Sequence, residues 1–130
     1  MRHHRELFES VRNRTGMYVQ PETYAVVAAF VSGYDAACQS GMLAGFKEWL
    51  VLRLGAGSNL HWSALVPEVA FPNARSPQDA VSASPNAERQ AIQTLFDLLA
   101  EFDEVRSQHN GLKKVFLAYE QWEQNQKSRW

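Results

Sequence analysis

The sequence predicts an all-α fold, a single-domain bundle of about five helices with an irregular, proline-containing segment near residues 58–84. Three observations carry that prediction. Apolar residues recur at three- and four-residue steps through most of the chain. Glycine, proline and Asn-Gly punctuation falls between those periodic stretches. No run of alternating apolar and polar residues marks a strand. The 130 residues suffice for one core, and 45% hydrophobic with 21% charged residues is the usual mix of a globular chain.

Residues 4–14 carry Leu7, Phe8 and Val11 among charges, an apolar stripe at helical spacing. Thr15 and Gly16 end this first helix, "MYV" forms a short extended link, and Met17 and Tyr18 are expected to pack onto the core. A second helix starts at "QPETY", with Pro21 in its first turn and Glu22 near its positive end. Tyr24, Val27, Val31, Tyr34 and Cys38 make one stripe on it, and Val26, Phe30 and Ala37 another. A helix apolar on most sides is predicted to be the central one. Gly41 breaks it.

A third helix over 42–54 follows, built on Leu43, Phe46, Leu50 and Leu54, with Trp49 widening the face. "GAGSN" stops it, because glycine tolerates the left-handed backbone of a helix end. Pro67, Pro72 and Pro77 then stand five residues apart, which predicts turns and no long helix. Ser76, Pro77 and Asp79 fit one short capped turn. Ser84 as N-cap, Pro85 at the first position and Glu88 in the first turn open a long fourth helix to about 108. Its core face is Ile92, Leu95, Phe96, Leu99, Phe102 and Val105. Asn110 and Gly111 make a turn, and a fifth helix over about 112–127 aligns Leu112, Val115, Phe116, Tyr119 and Trp122.

The formal net charge of −1 provides no basic field to attract nucleic acid, so no such partner is expected. One cysteine, Cys38, excludes an internal disulfide and suits a reducing, cytoplasmic compartment. The N-terminus has no apolar signal region, and Ser32 to Asp35 interrupt the longest apolar stretch, so no membrane association is expected. No His-x-x-x-His or Cys-x-x-Cys pair is present, so neither metal nor cofactor is expected. Cys38 lies on an apolar stripe and reads as a buried thiol rather than a nucleophile. No catalytic set emerges.

Charge is patterned on the fourth helix. Asp97, Glu101 and Glu104 share a face at i, i+4 and i+7, and between residues 88 and 104 five acids meet one base, Arg89. Such a row is either a solvated helix face or a docking surface for a basic partner. Asp35 stands in the most apolar helix, where a carboxylate must be paired. Arg12, Arg14 or a backbone amide could meet it, making a polar link between the first two helices. Trp62 and Trp130 fall off the helical stripes and read as exposed anchors for a partner, with His61 beside Trp62 in the proline loop.

One stretch, "SVRNRTGMYVQP" at residues 10–21, resembles the opening of the ATP-binding domain of gyrase-type topoisomerases. The elements that such a site requires are missing: the following helix lacks the magnesium-binding Asn and catalytic Glu, and no glycine-rich lid follows. A joint between two helices is the better reading.

Taken together, "RTGMYV", "AFVSGYDAA", "GFKEWLVLRLGAGSNLHWSALV" and "GLKKVFLAYEQWEQNQ" resemble small bacterial proteins with an "RPGMY" opening and a closing Tyr-x-x-Trp helix. That group looks like immunity proteins of polymorphic toxin systems, with Thr15 here in place of proline. The resemblance implies a cytosolic protein that binds and neutralises a cognate toxin domain, by plugging its active site or capping an exosite, without catalytic residues. Asp97, Glu101 and Glu104, with Trp62, His61 and their loop, are the expected toxin-facing surface. A different protein partner, or a small ligand held in an apolar pocket beside Asp35 and the tyrosines, are the alternatives.

Overall fold

A computed structural model describes residues 2–39 and 41–128. Trp130 lies outside them. The described residues are all-helical, with seven α-helices in place of the expected five. These are α1 (Arg2–Asn13), α2 (Tyr24–Ala37), α3 (Phe46–Leu54), α4 (Trp62–Ala70), α5 (Pro77–Val81), α6 (Pro85–Ser107) and α7 (Gly111–Lys127). A short 3-10 turn, Thr15–Met17, joins α1 to α2.

The hub is α6, which touches each of the other six helices. Ser84 caps it by accepting from the Ala87 amide, and Pro85 occupies its first position, where a missing N–H costs nothing. Ala91, Ile92, Leu95, Phe96, Leu98, Leu99 and Phe102 are its buried residues. The expectation that the second helix is central is therefore corrected. On α2 only Tyr24, Val27, Ala28 and Val31 are buried. Its outward apolar residues are mostly small, with Ala25, Ala29, Ala36 and Ala37 exposed, and alanine has little area to gain from burial. Helix α2 starts at Tyr24, so Pro21 and Glu22 precede it rather than lying in its first turn. Thr23 caps it, its side chain accepting from the Val26 amide, and the Glu88 carboxylate of α6 accepts from the Tyr24 amide at 2.9 Å.

The proline segment is more ordered than predicted. Pro67 sits inside α4, where proline normally breaks a helix because it cannot donate to the carbonyl four residues back. That carbonyl belongs to Ser63, and the buried Tyr24 phenol donates to it at 2.6 Å. A side chain from α2 thus replaces the missing backbone bond, and Gln78 of α5 donates to the adjacent Ala64 carbonyl at 3.1 Å. As a result Trp62 is carried on a helix and faces inward. Its ring lies 5.7 Å from that of Phe46, which in turn lies 5.4 Å from Phe102. Aromatic pairs at such distances each add about 0.5–1.5 kcal/mol beyond their buried area.

The third helix begins later than predicted, at Phe46, because residues 42–45 form a turn ending at Gly45 with φ +89°. The turn presses against the bundle: a Cβ on Gly45 would lie 2.9 Å from Leu112 Cδ2 and 3.5 Å from the Phe102 ring. Asp35 holds the turn in place by accepting from the Leu43 amide at 3.0 Å. It thus meets a backbone amide, and the link between the first two helices through Arg12 or Arg14 does not form.

Helix α1 lies antiparallel on α6. Arg5 pairs with Asp103 near one end, and Arg12 reaches Asp97 at 2.6 Å and the Gln93 side-chain amide oxygen at 2.6 Å near the other. No helix among the described residues is long and apolar enough to cross a membrane.

Candidate functional site at the joint between α1 and α2

The opening motif builds a rigid turn. Thr15, buried, donates from Oγ1 to the Val11 carbonyl at 2.8 Å. The Met17 amide donates to the Arg14 carbonyl at 2.9 Å, and the Tyr18 and Val19 amides both donate to the Thr15 carbonyl at 3.0 Å. Thr15 and Val19 are buried pins, and the chain between them bulges outward. Gly16 leaves room for this: a Cβ there would lie 3.1 Å from the Glu22 carboxyl group.

The bulge overturns the expectation that Met17 and Tyr18 pack onto the core. Met17 is 76% exposed and Tyr18 42%, the ring of Tyr18 meeting Phe30 in an edge contact with centroids 6.3 Å apart. Beside Met17 opens a cleft of about 670 Å³ between the joint and the start of α6. Arg12, Arg14 and Arg89 line it, against a single acid, Glu22. Arg12 is committed to Asp97, so the free positive field comes from Arg14 and Arg89, both exposed, with Arg89 donating only to the Asn86 side chain at 3.0 Å among the described residues. Exposed methionine is soft and adaptable, and an ordered backbone beneath it lowers the entropy lost on binding.

The expected toxin-facing residues are placed differently. Trp62 is only 6% exposed, so its role as an exposed anchor is corrected: with α4 helical, its position falls on the inward face. His61 is exposed and serves as the N-cap of α4, its Nδ1 accepting from the Ser63 amide at 3.2 Å. Asp97 pairs with Arg12, and Glu101 with Arg53 of α3 at 2.5 Å. Glu104 is exposed and forms no ion pair among the described residues. The acidic row is thus largely matched by arginines brought in from α1 and α3, which removes most of the uncompensated field that the linear pattern suggests.

No family model, curated protein or solved structure matches the chain. The likeness to immunity proteins therefore rests on the sequence segments alone.

The titratable groups add little chemistry. Burial raises the pKa of Tyr24 and, with smaller effects from Cys38, that of Tyr34. Burial, then the negative Glu123 and Glu48, raises Tyr119. All three phenols are held protonated at neutral pH, which suits hydrogen-bond donation, as from Tyr24 to Ser63. Hydrogen bonding to Asp103 raises Arg5 above its already high value. No group of three or more His, Cys, Asp or Glu side chains among the described residues could hold a metal ion.

Proposed function

We propose that the protein is an immunity-type inhibitor that binds a toxin domain through the joint between α1 and α2. The observation that carries this reading is Met17, projected from a hydrogen-bonded turn at the mouth of a cleft that bears two arginines, Arg14 and Arg89, with no ion pair among the described residues. Methionine and arginine are both enriched in protein–protein interfaces relative to the rest of the surface. Burying a full methionine side chain is worth about 1.5–3 kcal/mol. Arg14 and Arg89 favour a partner with acidic groups around an apolar pocket, and such complementarity acts mainly on the association rate. In this reading Asp97 serves the site by anchoring Arg12 at the wall of the cleft, and Trp62 serves it only by supporting the core.

Co-expression with a toxin domain encoded beside this chain's own gene tests the proposal. The wild-type protein should restore growth and co-purify with the domain, whereas Met17→Asp with Arg14→Glu should do neither while remaining folded. Full protection by that double variant would move the docking surface elsewhere, and no protection by the wild type would remove the function.

A further inference from the structure

A second opening lies along the seam of α1 and α6, independent of the docking reading. It is a cavity of about 170 Å³, floored by Phe8, Phe96, Leu99 and Phe102 with Met42 from the turn. These side chains offer no hydrogen-bonding nitrogen or oxygen. A water needs two to four polar partners, so the floor favours an apolar occupant. An apolar cavity of about 150 Å³ accepts a benzene-sized molecule, and this one is slightly larger.

The rim has the opposite character. Arg5, Arg12 and Arg106 border the cavity together with the carboxylates of Glu9 and Asp103; Arg5 pairs with Asp103 and Arg12 with Asp97. Arg106 donates to the Met42 and Gly41 carbonyls, both neutral acceptors, and its guanidinium lies 5.9 Å from the centre of the Phe102 ring. It forms no ion pair among the described residues, so its charge is unmatched at the edge of a low-dielectric hollow. Arg5 is held by Asp103, so Arg106 is the cation left to meet an anion at this rim.

We infer that this crevice binds a small amphipathic carboxylate, a molecule with one aromatic ring or a short hydrocarbon chain ending in a carboxylate. The hydrocarbon part lies over the floor that the contacting Phe8 and Phe96 rings, 5.7 Å apart between centroids, make with Leu99 and Phe102, and the carboxylate meets Arg106. Ala100 lines the opening, and its small side chain leaves the space that the ring enters.

The test is titration of the full chain with phenylacetate, benzyl alcohol and acetate, followed by amide NMR shifts. Phenylacetate should bind saturably, with the largest shifts at residues 96–106. It should bind about tenfold or more tightly than benzyl alcohol, the gain from a charge-assisted contact, while acetate moves nothing. Arg106→Met should reduce phenylacetate to the affinity of the alcohol. Ala100→Phe, which fills the opening without touching the arginines, should abolish both. No saturable shift at millimolar phenylacetate would overturn the site. Equal affinity for acid and alcohol would overturn the carboxylate, and undiminished binding by Ala100→Phe would overturn the location.

Discussion

Replacing Tyr24 with Phe tests why α4 tolerates a proline. Pro67 has no N–H for the Ser63 carbonyl, and the Tyr24 phenol supplies that bond at 2.6 Å. Phenylalanine keeps the ring and its packing but leaves a part-buried carbonyl without a donor, at a cost of about 1–3 kcal/mol. In a Pro67→Ala background the residue's own N–H returns to Ser63, so the same substitution removes a bond without orphaning an acceptor. The two changes should therefore couple by about 1 kcal/mol, beyond the roughly 0.3–0.5 kcal/mol within which independent sites add. Urea unfolding of the wild type, both single variants and the double variant measures this, and the cycle subtracts whatever packing Pro67→Ala itself loses. Equal penalties for Tyr24→Phe in both backgrounds would refute the substitution of phenol for backbone.

The same phenol carries a pH dependence. Burial raises its folded-state pKa above the unfolded value of about 10, so its stabilisation is complete below about pH 10 and is lost as pH rises toward the folded pKa. The stability difference between wild type and Tyr24→Phe should stay flat to about pH 9 and then shrink by at most about 1.4 kcal/mol per pH unit; denaturant titrations that show a constant difference to about pH 11 would contradict this. Gly111→Ala would place a Cβ 2.0 Å from the Val105 carbonyl oxygen, a backbone atom that cannot swing away. It should lower stability by about 3 kcal/mol or more, and an unchanged calorimetric melting temperature would exclude the close approach of α6 and α7. Trp62→Ala should cost about 3–5 kcal/mol as a core truncation, whereas a loss under about 0.5 kcal/mol in chemical denaturation would return Trp62 to the surface.

Local signals made much of the fold legible. Ser84, Pro85 and Glu88 mark the start of α6 because capping acts within a few residues, and Asn110 takes the left-handed φ of +56° before α7. The fate of Pro67 was not legible, since its rescue comes from Tyr24, far away in sequence. The inward face of Trp62 was not legible for the same reason, because only the helical register of α4 turns it to the core. The acidic row was visible, but its arginines were not. Arg5, Arg12 and Arg53 reach Asp103, Asp97 and Glu101 across separations of 98, 85 and 48 residues. The candidate docking site was hidden most completely. "RTGMYV" has no periodicity to show which side chain turns outward, and only the bonds around Thr15 reveal that Met17 does.

The proposed function requires a toxin domain to dock on the joint between α1 and α2. Calorimetric titration of wild type and Met17→Ala with a candidate toxin domain that co-purifies with the wild type tests this directly. Because Met17 is 76% exposed before binding, its truncation should leave stability unchanged. Affinity should fall about tenfold or more, as expected for most of a methionine's burial energy. Equal affinity of the two proteins would contradict the claim.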